Sequence, residues 1–84
     1  MPRIILYTTD YCGYCVRAKQ LLEQRGIDYE EISLENDPAF RERVYELGRQ
    51  WTVPLITIDD EAVGGYTELA ALDRSGALAA RLAA

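Results

Sequence analysis

Cys12 and Cys15, separated by Gly13-Tyr14, are the residues of this sequence whose types and spacing could do chemistry. On a helix, residues three apart have Cα atoms about 5 Å from one another. A disulfide spans roughly 4.4–6.8 Å between Cα atoms, so two such sulfurs can join and part with little backbone movement. The first helical turn also carries unpaired N–H groups and the positive end of the helix dipole, and both favour an anion. A free thiol titrates near ~8.5 and such settings lower it to between about 3.5 and 7.5. Only the thiolate attacks a disulfide. Cys12, first of the pair and the more exposed, is the expected nucleophile; Cys15, one turn deeper, is the expected resolving thiol. Zinc needs four ligands, and the chain offers two cysteines and no histidine, which leaves no metal site within a monomer. Two inert buried cysteines are the plain alternative to redox chemistry.

The elements that must position this pair can be traced along the chain. Ile4-Ile5-Leu6-Tyr7 is a continuous apolar run of the kind found in a strand buried on both faces. A helix is expected from about Gly13 to Arg25, with Cys15, Ala18, Leu21 and Leu22 on one face and Gly26 as its stop. Asp28 to Leu34 reads as a second strand near a sheet edge. Asp37-Pro38 is a capping side chain followed by a proline at the first helical position. Phe40, Val44 and Leu47 then recur at helical spacing, and Gly48 closes that helix. Residues 54–58 and 61–63 read as two strands joined by a tight turn at Asp59-Asp60. Gly64-Gly65 breaks the pattern, and Thr67 to Asp73 and Gly76 to Leu82 read as short helices. A strand–helix–strand opening implies a right-handed crossover with parallel pairing, and the later hairpin adds antiparallel strands.

Eighty-four residues suit one domain spanning 1–84, burying roughly 60–65% of its unfolded surface. Nine basic against fourteen acidic side chains leave a formal charge of -5. An acidic surface repels nucleic acid and anionic lipid, so neither is an expected partner. An anionic substrate would have to be met by local cations or backbone N–H groups. No segment approaches the ~18 apolar residues that span a bilayer, and Arg3 is followed by a strand rather than a long apolar leader. A cytoplasmic, reducing location is expected, where a cysteine pair serves chemistry rather than stapling.

Three segments together resemble the glutaredoxin family. Leu6-Tyr7-Thr8 leads into Tyr11-Cys12-Gly13-Tyr14-Cys15, where the family typically has C-P-Y-C. Thr52-Val53-Pro54 is similar to its T-V-P segment, whose proline is cis. Val63-Gly64-Gly65-Tyr66 is similar to its G-G turn. The resemblance implies an α/β, thioredoxin-like fold: a four-stranded mixed sheet flanked by helices, ordered βαβαββα with a short final helix. It further implies a monomer that reduces protein disulfides and glutathionylated thiols, with glutathione as co-substrate and no tightly bound cofactor. Tyr14, Thr52, Val53, Pro54, Gly65, Tyr66 and Thr67 are the implied glutathione-binding residues. Val53 would pair with the cysteinyl unit through its backbone, as an added strand does. Tyr66 and Thr67 would offer N–H groups to the γ-glutamyl carboxylate.

The sequence also departs from the family pattern. Thr9 stands where a basic residue is common, Leu55 where a polar one follows the proline, and Thr67-Glu68 where two acids follow the G-G turn. Arg49 or Gln50 is the candidate substitute for the missing cation. Gly13 replaces proline and gives the loop access to φ > 0. In the family, glycine there sometimes accompanies a [2Fe–2S] cluster bridged between two monomers, with Cys12 of each and two glutathione thiols as ligands. A redoxin of the same fold recycled by thioredoxin reductase, or a cluster carrier, are the alternatives.

Overall fold

In the computed structural model, which describes residues 2–83, the chain opens with strand β1, Ile4–Thr8. Helix α1 follows at Gly13–Gln24, then β2 at Glu30–Ser33 and α2 at Phe40–Gly48. Strands β3, Leu55–Ile58, and β4, Glu61–Gly64, precede helices α3, Tyr66–Ser75, and α4, Ala77–Ala83. The order is the expected βαβαββα with a final helix. The sheet runs β2-β1-β3-β4. β1 pairs parallel with β2 in the register Leu6↔Glu31, and antiparallel with β3 in the register Leu6↔Ile56. β2 is thus an edge strand, as its alternating pattern indicated, and β3 is buried throughout.

Local sequence accounts for most boundaries. Gly26 takes φ +67 after α1, and Ile27 N donates back to Leu22 O at 2.9 Å, a left-handed stop that glycine adopts without steric penalty. Asp59 and Asp60 both lie at positive φ, 50° and 68°, which is the two-residue hairpin turn whose twist matches its strands. The β3–β4 pairing jumps from Ile56↔Gly64 to Thr57↔Ala62. The extra residue is Val63, and the bulge turns the chain toward Gly65.

Helix α2 differs from expectation at both ends. Asp37 and Pro38 do not cap and open the helix as expected: the Asp37 carboxylate accepts from Ala39 N at 2.9 Å and from Arg43 Nε at 2.8 Å, bracing the turn before it, and the regular helix begins only at Phe40, with Ala39 at its cap. Gly48 ends the helix without taking the left-handed position, which falls to Arg49 at φ 59. Gly48 serves close packing instead: a Cβ there would lie 2.5 Å from Leu55 Cδ1. Leu47, expected on the apolar face, is 41% exposed.

The two faces of the sheet are covered unequally. Ile4, Leu6, Ile56 and Ile58 pack with Ala18, Leu22, Leu69 and Leu78 from α1, α3 and α4. On the other face Leu55 packs with Leu34 and Val44, flanked by Tyr7, Ile32, Phe40 and Val53. The alternation along β3 assigns successive residues to opposite faces. Among the described residues no helix is long and apolar enough to cross a membrane.

Candidate active site

Strand β1 ends at Thr8 and the chain turns into α1 through Tyr11, a non-glycine residue at φ 59 whose side chain is fully exposed. Cys12 is the N-cap of α1 with extended backbone, φ -106 and ψ 104, and its Sγ accepts from Cys15 N at 3.1 Å. Sulfur takes the place usually held by a Ser or Asp oxygen. The first turn of α1 contains no acidic residue, so nothing there offsets the positive end of the helix. Cys12 and Cys15 are joined as a disulfide with Cα atoms 5.2 Å apart. Cys15 is 2% exposed and Cys12 half-buried, the inequality expected of a nucleophile and its resolving partner. Gly13 lies inside the helix and does not use positive φ, and a Cβ on it would meet nothing within 4 Å. The strained position of this loop is Tyr11 rather than the glycine.

Beside the sulfurs lies a groove of about 190 Å³ lined by Tyr14, Gln50, Thr52, Val53, Pro54, Gly65, Tyr66, Thr67 and Glu68. The Val53–Pro54 peptide is cis, and Val53 O sits 3.8 Å from Cys12 Sγ. Because a disulfide sulfur has no hydrogen to give, this is a contact in the oxidised protein, not a hydrogen bond. Gln50 braces the loop: its Nε2 donates to Thr52 O at 2.6 Å and to Pro54 O at 3.0 Å. Two carbonyl acceptors fix which end of the amide faces them. Tyr14 and Tyr66 face each other across the groove with ring centroids 6.1 Å apart.

At the other end of the groove, α3 begins after Gly65. Its first-turn N–H groups have no intrahelical acceptor. Glu68 reaches back so that its Oε1 accepts from Gly65 N at 2.9 Å, leaving the N–H groups of Tyr66, Thr67 and Glu68 itself as the donors of that turn without an intrahelical acceptor. Glu68 is a groove residue that the sequence reading passed over. Its signal was its place three residues into a helix that starts at a glycine, where an acid reaches back to the cap.

The candidate site residues named from the sequence mostly converge. Tyr14, Thr52, Val53, Pro54, Gly65, Tyr66, Thr67 and Gln50 line the groove; Cys12, bonded to Cys15, adjoins it through Val53 O. Arg49 does not line it: its guanidinium carbon lies 5.5 Å from the Tyr45 ring centroid, and Tyr45 in turn stacks on Trp51 at 4.4 Å. Leu55 is fully buried in the smaller core, so its apolar character leaves the groove surface unchanged. Thr9 borders a separate recess, which Cys12 and Cys15 also line. Among the described residues no three His, Cys, Asp or Glu side chains group closely enough to hold a metal ion.

Comparison with known proteins agrees with this geometry. A family model described as glutaredoxin matches residues 4–63. The chain is 44% identical to a glutaredoxin of Pseudomonas aeruginosa over 84 residues, covering 100% of both. It is 38% identical to glutaredoxin 3 of Escherichia coli over 78 residues, 93% of this chain and 94% of that one. Among solved structures, a buckwheat glutaredoxin–glutathione complex is similar with a TM-score of 0.81 at 29% identity, covering 89% of this chain and 71% of that one. Glutaredoxin 1 from Francisella tularensis, complexed with cacodylate, gives 0.75 at 36% identity, covering 89% and 95%. The four-stranded mixed sheet with its flanking helices is the thioredoxin-like architecture of these neighbours.

Proposed function

The chain belongs to the glutaredoxin family and is a thiol–disulfide oxidoreductase, and from that premise we propose that glutathione is its reductant and that the groove beside the disulfide holds it. The observation that carries this reading is the placement of Cys12 Sγ at the cap of α1, 3.1 Å from Cys15 N and 3.8 Å from Val53 O. A peptide cysteine bonded to that sulfur would lie against the Val53 backbone.

In the proposed reaction, the Cys12 thiolate attacks the glutathione sulfur of a glutathionylated thiol. A new S–S bond forms between Cys12 and glutathione, the old bond breaks, and its electron pair leaves on the substrate thiol, which takes a proton from solvent. A second glutathione thiolate then attacks the glutathione sulfur of this mixed disulfide. Oxidised glutathione departs and Cys12 returns as thiolate, without Cys15. With a protein disulfide, Cys12 forms the mixed disulfide and Cys15 displaces the substrate, leaving the Cys12–Cys15 bond for glutathione to reduce. The γ-glutamyl carboxylate is assigned to the N–H groups of Tyr66 and Thr67, and its ammonium to the Glu68 carboxylate. The protein is assigned to a reducing cytoplasm and to action as a single-domain monomer.

The groove is short of cations, which predicts weak recognition of the glycyl carboxylate. An exposed ion pair there would contribute only ~0–1 kcal/mol. The burial of Leu55 supports glutathione over thioredoxin reductase as electron source, because the substitution that set this chain apart at the proline does not reach the groove. The test is reduction of a small glutathione mixed disulfide by wild type, Cys12→Ser and Cys15→Ser. Activity is expected to vanish in the first variant and persist in the second. Full activity in Cys12→Ser would overturn the assignment of the nucleophile, and recycling by thioredoxin reductase and NADPH but not by glutathione would overturn the reductant.

A further inference from the structure

A second recess, sharing no lining residue with the groove, has a lining that includes Cys12, Cys15, Asp10, Lys19 and Glu31. Lys19 is the one cation among its lining residues. It stands four residues after Cys15 on α1, on the same face one turn on, and helical side chains lean toward the preceding turn. For Lys19 that turn carries Cys15. Lys19 Nζ is 2.8 Å from Glu31 Oε2, with the two side chains 31% and 36% exposed. The same oxygen accepts from Thr8 Oγ1 at 2.8 Å. Glu31 is therefore held between the end of β1 and the middle of α1, its register partner Leu6 lying on the same face. The Lys19 bond, and after it the Thr8 bond, depress the Glu31 carboxyl below its ordinary value, in keeping with a persistent pair.

The chemistry leaves one need unmet by the groove. When glutathione thiolate attacks Cys12 Sγ, a Cys12–glutathione bond forms, the Cys12–Cys15 bond breaks, and the electron pair goes to Cys15 Sγ, on a residue 2% exposed with little water to stabilise it. A proton from solvent later neutralises it. The charged groups lining the recess from each element are Asp10 from the loop, Lys19 from α1 and Glu31 from β2. Arg17, the other cation nearby on α1, lies over the Tyr14 ring at 5.4 Å. We propose that Lys19, held by Glu31, is a positioning residue that meets the negative charge appearing at the sulfur pair when the disulfide opens. Glu31 restrains that charge as well as holding it, so the two residues act on the redox equilibrium with opposite signs.

This inference rests on the glutathione reading above, and redox titration against the reduced and oxidised glutathione couple tests the two separately. Lys19→Met leaves two carboxylates and no cation at the recess, and is expected to disfavour the reduced form at least threefold, ~14 mV more negative for a two-electron couple. Glu31→Gln keeps an acceptor for Thr8 and releases the ammonium from its pair; it is expected to shift the equilibrium the other way. Lys19→Arg is expected to stay near wild type. A purely structural role would move Lys19→Met and Glu31→Gln in the same direction, and that result overturns the proposal, as does an unshifted Lys19→Met or a Lys19→Arg that behaves like Met. If Lys19→Met fails to fold in a circular-dichroism melt, the Glu31→Gln shift decides alone. Wild-type protein that does not equilibrate with glutathione would instead sink the reading beneath.

Discussion

On one face of the sheet three helices, α1, α3 and α4, close over Ile4, Leu6, Ile56 and Ile58; on the other, the nine-residue α2 brings Val44 against Leu34 and Leu55. The larger core fixes α1, whose first turn carries both sulfurs. The smaller core carries Val53 and the loop that ends in Pro54, one wall of the groove. The faces also differ in finish. Thr57 alternates with Ile56 and Ile58 and so points to the α2 side, where its Oγ1 is buried with no hydrogen-bond partner among the described residues. The difference separates two jobs: one face holds the molecule folded, while the other shapes where a substrate lies and tolerates imperfect packing.

The comparison breaks if damage on the two faces costs the same. Leu22→Ala removes a fully buried side chain of the larger core and is expected to cost about 2–5 kcal/mol in a denaturant melt. Gly48→Ala forces a methyl against Leu55, with an expected cost of ~1–3 kcal/mol. Because Leu55 and Val53 share that cluster, its apparent KM for a glutathione mixed disulfide should rise as well, which Leu22→Ala in its folded fraction should not show. Thr57→Val replaces an unpartnered hydroxyl with a methyl of the same shape and is expected to stabilise by ~1 kcal/mol; destabilisation would mean that the α2 face is better satisfied than it looks. The smallest effect is in alkaline solution. Burial first, and then the hydrogen bond to Glu23, push the Tyr29 phenol up from 10.0 to about 12. The folded state then keeps a proton that the unfolded chain has lost. This contribution is complete below pH 10.0 and disappears as the pH rises toward about 12, a slope that Tyr29→Phe should remove.

Much of this was legible in the sequence because it is written in neighbouring residues. The Cys12–Cys15 spacing, the Gly26 stop and the Asp59-Asp60 hairpin each depend on a local backbone preference. Periodicity found the buried side of α1. What it missed depends on contacts between residues far apart in the chain. Gly48 reads as a helix stop, yet its need for glycine comes from Leu55, a later strand. Arg49 reads as a cation free to meet a carboxylate, yet Tyr45 draws it away from the groove. Lys19 and Glu31 each look like a solvated charge, and only the parallel pairing of β2 with β1 brings them together beside the sulfurs. Gly13 drew attention for its freedom, while the loop spends its unusual conformation on Tyr11.

All of the proposed chemistry depends on Cys12 ionising readily at the cap of α1, so the most direct measurement is competitive alkylation of the fully reduced protein. In mildly acidic solution, well below the ~8.5 at which a free thiol ionises, Cys12 should react much faster than free cysteine while Cys15 stays unmodified. Cys12 reacting no faster than free cysteine, or Cys15 reacting first, would contradict the account.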